Sequence, residues 1–261
     1  PDLRGLSPSE ARRVTAAARL LSGRITATPA ASQPGTTLDQ SPASGTTAAA
    51  DALVGVTRAA PLGPGGTRVP VDLRTRLALT GPRWSPPSTV TVGDLRGLVT
   101  VIRVVRNASD IRPSATYAVR PSNVFTLTAT RGPAPRRSPV PDMPNQASAV
   151  MVDTDGALQR ALGITALPAT VVLDRNARVA YRAAGLPSDS DSALAGALDS
   201  LPYEDATRDA LWPKAQRSAW FLRGAVATPQ PGMVDVGGEW NAPGNHVRTF
   251  GPSTTGSYVV A

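Results

Sequence analysis

Cysteine is absent from all 261 residues. That single absence removes disulfides, thiolate nucleophiles and cysteine-held metals, and it leaves the redox compartment unreadable. Histidine is nearly absent as well. His246 stands alone, so a multi-histidine metal site is excluded and a Ser-His-Asp arrangement would have to be built around it. Between Asn245 and Val247 it reads as a turn or surface residue rather than a base. Aromatic residues are only 4% of the chain, and Lys214 is the sole lysine, so the net charge of +8 is carried almost wholly by guanidinium groups. Arginine suits bidentate contacts to phosphate or carboxylate. Here, however, the arginines are scattered instead of clustered with aromatics, which gives nucleic acid weak support as a partner. Long apolar runs are missing too: the strongest, LVTVIRVV at 98–105, contains Arg103 and is far short of the roughly 18 residues a membrane-spanning helix needs. The chain begins at Pro1, which leaves room for a removed signal or anchor upstream.

What the sequence has in excess is Gly, 23 residues, and Pro, 26. Together they approach a fifth of the chain, against an average of about 12%, and they imply long irregular segments around a smaller core. Four regions follow from the punctuation. Residues 1–24 form an N-terminal docking helix, since LSPSEARRVTAAARLLSG has Ser7 as cap, Pro8 in the first helical position, Glu10 to complete a capping box and Gly23 as stop. Residues 25–68, rich in Thr, Ala, Ser, Pro and Gly, read as an extended low-complexity arm or linker, because they hold too little apolar surface to offset ordering entropy. GPGGT at 63–67 lacks the Gly-Lys-Ser/Thr of a phosphate loop. The fold proper is expected over 69–201, and 202–261 should be a helix with a small β appendage.

Within 69–106, VPVDLRTRLALT and STVTVGDLRGLVTVIRVVR predict outer strands followed by a buried central one. In ASAVMVDTDGALQRALGITALPATVVLDRNARVAYRAAG, at 147–185, the spacing predicts a strand at 149–152, a short helix started by Asp153, and a hairpin of 169–173 with 178–182; a helix at 188–201 follows. Strand, helix, hairpin, helix is an α/β order. The pairs Asp153/Asp155 and Asp189/Asp191 read as helix starts, not as a metal or acid/base site.

This block resembles the C-terminal half of a thioredoxin-like domain of the TlpA/ResA kind. The resemblance rests on Asp155-Gly156, Leu162-Gly163-Ile164, Leu167-Pro168-Ala169-Thr170 and Leu173-Asp174-Arg175. Upstream, Val92-Gly93-Asp94-Leu95-Arg96-Gly97 is similar to the family's lead-in to its first central strand. The implied fold is a thioredoxin-like central sheet with flanking helices, carrying an extended N-terminal arm and a small β tail. The family's redox loop, Trp-Ala-Ser-Trp-Cys-x-Pro-Cys, aligns with residues 107–114, NASDIRPS. Ala108, Ser109 and Pro113 match, but Ile111 and Ser114 stand where the two cysteines belong. Exchange needs an attacking thiolate and a resolving thiol, so that activity is excluded and no cofactor is implied. By the same resemblance, Leu167 and Pro168 would form a cis-proline groove facing the loop, and the location would be extracytoplasmic. Two departures stand out. Residues 115–147, where the family has a long helix, hold Pro121, Pro133, Pro135, Pro139, Pro141 and Pro144, which cannot form one, so this part of the domain is expected to be rebuilt around the strand-like NVFTLTAT. Asn107-Ala108-Ser109 also fits a glycosylation pattern.

No reaction class has a complete set of groups. The leading expectation is therefore a non-catalytic structural or accessory subunit, not an enzyme, that binds a protein partner or sits in a larger assembly. Leu211, Trp212, Trp220 and Phe221 are its candidate partner anchors, a leucine and three aromatics close together in a chain poor in aromatics. The competing reading is a self-assembling, mainly β coat or shell protein with an ordered arm and arginines facing nucleic acid.

Overall fold

The computed structural model describes residues 1–80, 88–107, 110, 124–132, 147–187 and 191–205, and the backbone of three short strands between 233 and 260. The N-terminal helix α1, Pro8–Ala17, is closed at its start by the capping box: the Glu10 amide donates to Ser7 Oγ, and the Ser7 amide donates to Glu10 Oε2 at 2.9 Å. It ends earlier than the sequence predicts. Arg19 turns left-handed at φ 53, and Leu21 and Ser22, expected in the helix, pair with Leu53 and Val54 instead.

That pairing opens a three-stranded sheet, β1 (Leu21–Pro29), β2 (Thr37–Ser41) and β3 (Leu53–Ala60), with β3 in the middle, parallel to β1 and antiparallel to β2. Residues 25–68, expected as an extended low-complexity arm or linker, supply most of this sheet. Its strands bury Ala59 and Ala60 completely, and Ala60 joins the core of the main domain.

The main sheet has eight strands: β4 (Val69–Pro70), β5 (Arg76–Thr80), β6 (Ser88–Thr91), β7 (Val99–Val105), β8 (Val124–Thr130), β9 (Ala147–Val152), β10 (Ala169–Leu173) and β11 (Arg178–Ala184). They lie in the order β4-β11-β10-β7-β8-β9-β5-β6. Strands β7, β8 and β9 run parallel to one another, β10 is antiparallel to β7, and β11 is antiparallel to β10. Strand alternation sorts the side chains onto two faces. Ile102, Val104, Phe125, Leu127, Val171 and Leu173 pack with Leu158 and Leu162 of α2 (Ala157–Ala161) and its C-terminal end. On the opposite face Val99, Val101, Val172 and Ala180 pack with Leu194, Ala197 and Leu198 of α3 (Ser192–Ser200).

Between 115 and 147, Val124–Thr130 of NVFTLTAT is β8, and Pro121, Pro133, Pro135, Pro139, Pro141 and Pro144 lie outside the described residues. Three short strands follow in the tail, β12 (Met233–Asp235), β13 (Arg248–Pro252) and β14 (Tyr258–Val260), an antiparallel sheet with β13 central. No helix among the described residues is long and apolar enough to cross a membrane.

Candidate functional site

The C-terminal end of β7 is where the 107–114 loop begins. Its partner across the ladder is the start of β10, with Val104 opposite Ala169, so the Leu167–Pro168 segment lies at the same end of the sheet. The Leu167–Pro168 peptide is cis, Pro168 is exposed, and Leu167 is half-buried against the core. Pro168's carbonyl accepts from the Gly185 amide at 2.7 Å, and Thr170 Oγ1 donates to the Gly185 carbonyl at 3.1 Å, which fixes this corner. On the loop side, Asp110 Oδ2 accepts from the Asn107 amide at 3.1 Å. The neighbouring strand end is held by the Arg131 and Gly132 amides, which donate to the Val105 and Arg106 carbonyls. Arg131 Nη1 then donates to Gln159 Oε1 at 2.9 Å, tying that end to α2.

Backbone register thus brings the cis-proline corner and the loop start together. Ile111, Pro113 and Ser114 lie outside the described residues, as do Leu211, Trp212, Trp220, Phe221 and His246. Among the described residues no group of three or more His, Cys, Asp or Glu could hold a metal ion.

The motifs behind the resemblance have structural jobs. Asp153, fully buried, starts α2 by accepting from the Leu158 and Gln159 amides at 3.1 Å each, while Gly156 supplies the left-handed turn, φ 69, just before the helix. Asp191 caps α3 by accepting from the Leu194 amide at 2.8 Å. Gly97, at φ 91, donates its amide to the Arg175 carbonyl at 2.6 Å and accepts from Arg175 Nε at 3.2 Å. The lead-in and the Leu-Asp-Arg hairpin, separated by 78 residues, therefore meet directly.

Around that meeting point lies a charge network that the sequence did not reveal. Asp174 Oδ1 accepts from the Asn176 and Arg178 amides, shaping the turn, and its Oδ2 takes Arg178 Nε at 2.8 Å and Arg68 Nη1 at 3.0 Å. Arg68 also holds both Glu204 carboxylate oxygens, at 2.5 and 2.7 Å, and the Pro61 carbonyl. Side-chain exposure is 5% for Arg68 and zero for Asp174. Burial by itself would lower the Arg68 pKa, and the two carboxylates more than offset it, so the guanidinium is held charged. Burial also pushes Glu204 up, with Arg68 pulling it back part-way. No sequence signal marked this cluster, because its members come from three distant segments.

The four strands β11-β10-β7-β8, with a hairpin between the last two in sequence and a helix after it, have the order and directions of a thioredoxin core. The fold is thioredoxin-like. No protein-family model matches the chain, and no curated protein is similar to it in sequence. Solved structures similar in fold include MTB DsbF in its mixed oxidized and reduced forms, at 17% identity over 49% of this chain and 98% of that one, with a TM-score of 0.34. The pneumococcal exposed lipoprotein thioredoxin Etrx1 from Streptococcus pneumoniae is 16% identical over 48% and 98%, at 0.32. A putative thiol-disulfide oxidoreductase from Bacteroides vulgatus is 12% identical over 51% and 96%, at 0.35. Such scores add nothing to the assignment, which rests on strand order. Unlike proteins that exchange disulfides, this thioredoxin-like chain has no thiol to attack with or to resolve with.

Proposed function

We propose that this chain is a non-catalytic, thioredoxin-like accessory protein that acts by binding a protein partner. The observation that carries this reading is a thioredoxin-like sheet in a chain with no cysteine anywhere. A scaffold whose reactive atoms are replaced by Ile111 and Ser114 retains shape, exposed loops and backbone hydrogen-bonding groups, which are the means of recognition without chemistry. Two contact regions fit the role: the corner at Leu167 and Pro168, and the aromatic stretch with Leu211, Trp212, Trp220 and Phe221. Interface anchors are commonly Trp and Tyr, and truncating one such residue costs about 2 kcal/mol or more of binding. The test is chemical crosslinking in the source cells followed by sizing of the native complex. Recovery of the chain in an assembly of fixed stoichiometry, lost when Trp220 and Phe221 are both changed to Ala, is the expected result. Recovery only as a free monomer overturns the reading.

A further inference from the structure

Strand β11 is an outer strand for most of its length. Short β4 covers only Arg178 and Val179, and among the described residues no strand pairs with Ala180–Ala184 on that side. The backbone on that side has a definite direction. The Gly185 amide donates to Pro168, so in an antiparallel ladder the pairs Thr170/Ala183 and Val172/Tyr181 also bond to each other, while the amides and carbonyls of Arg182 and Ala184 point outward. Beside this edge lies a groove of about 400 Å³, walled by two loops that include Ala31, Pro34, Pro61 and Pro64, with Tyr181 and Arg182 on its strand side. Prolines have no amide to donate, so Pro34, Pro61 and Pro64 cannot donate to the edge, and no strand among the described residues pairs with it there. No Asp or Glu lines the groove, and Arg182 is its one charged residue, using Nη2 to donate to the Leu162 carbonyl at 2.6 Å and keeping further donors. Exposed Val69, at 56%, extends the apolar surface along β4.

Resting on the reading that the chain acts by binding, we propose that the outer edge of β11 is the docking site for an extended, acidic-apolar segment of a partner protein. The segment adds as a further strand along Arg182–Ala184, a carboxylate meets Arg182, and small apolar side chains lie in the proline-walled groove. Backbone pairing gives the affinity of such strand addition, and the side-chain positions give its specificity. Charge complementarity selects the occupant: a basic groove without acids favours an acidic peptide over a basic one.

The experiment uses the full chain and a fluorescein-labelled Thr-Val-Glu-Val-Thr peptide, with fluorescence anisotropy as readout. Saturable binding is expected, weakened at least about tenfold by replacing the peptide's Glu with Lys, since a hydrogen bond to a charged group contributes about 1.5–3 kcal/mol. N-methylating the amides of one peptide edge should abolish binding, and methylating the other edge should not. Ala184→Pro removes an outward amide, a placement that edge strands tolerate, so the variant should fold with an unchanged unfolding temperature and lose the peptide. Absence of saturable binding, or equal binding by A184P, overturns the proposal. So does a concentration-dependent dimer that A184P dissolves, because the edge is then occupied by a second copy. A fixed-stoichiometry native complex that A184P leaves intact refutes this site alone and leaves the accessory role standing.

Discussion

Arg68 shows how one side chain can hold three segments of this chain together. It stands just before β4 and closes on Asp174 in the hairpin and Glu204 beyond α3, with little exposure to solvent. Removing one partner of a buried pair leaves charge without compensation, which costs about 3–5 kcal/mol. Arg68→Met should therefore lower the urea midpoint markedly, and its effect should depend on pH. Burial raises the Glu204 pKa above its unfolded value. For an acid raised in this way, the stability it contributes is fully present below the unfolded pKa and is lost as pH rises through the folded one. Without Arg68 to pull it back, Glu204 moves further up, so the gap in melting temperature between variant and wild type should widen from about pH 4 to about pH 8. A gap that stays constant with pH contradicts this account. Gly196 gives a second expectation at the same scale. A Cβ there would stand 1.8 Å from the Pro34 carbonyl oxygen. Gly to Ala within a helix ordinarily stabilises by about 0.5–1 kcal/mol, but Gly196→Ala should destabilise by about 1–3 kcal/mol because the 34–35 loop must move. Equilibrium unfolding in urea reads the sign directly.

Among the elements, α2, α3, β7, β10 and β11 were legible because their signals are local. Caps at Asp153 and Asp191, a continuous apolar run and a turn at 174–177 mark them whatever surrounds them. Strands β1–β3 were hidden for a physical reason. Beside the β-branched Val54 and Thr37, their buried positions are filled by Arg58, Ala59 and Ala60, residues with less strand preference, and much of the fit is supplied by tertiary contact. Arg58 Nη1 donates to the Asp199 carbonyl at 3.0 Å, its guanidinium lies 5.8 Å from the centre of the Tyr203 ring, and Ala27 and Ala60 pack against the core beside α3. An element held by such contacts should not open on its own. In native-state hydrogen exchange, the amides of Thr57 and Ala59 should therefore open in the same cooperative step as those of α3. Exchange of β1–β3 in a separate, lower-energy step would contradict this coupling.

For the whole molecule, the sequence made the fold class and the absence of thiol chemistry readable. It left the Arg68 network and the open β11 edge unread, because both are products of distant segments meeting in space. The resemblance itself divides the same way: Asp153, Asp174, Arg175 and Gly97 hold the scaffold, whereas the positions aligned with the redox loop carry no thiol. If residues 107–114 keep the frame of that loop, then restoring its reactive atoms should restore its reaction. The double variant Ile111→Cys, Ser114→Cys places two thiols at the family's sequence spacing, five and eight residues after Arg106. It should lose both free thiols on mild oxidation and, once reduced, accelerate insulin disulfide reduction well above the single variant Ser114→Cys, which lacks the attacking thiol. Thiol pairing alone is not sufficient, since any pliable loop can close a short disulfide ring. Catalysis requires a lowered thiolate pKa and access to substrate, both of which depend on the surrounding frame. A double variant that pairs its thiols yet reduces insulin no faster than free dithiol would show that the frame itself, and not only the cysteine pair, has been lost.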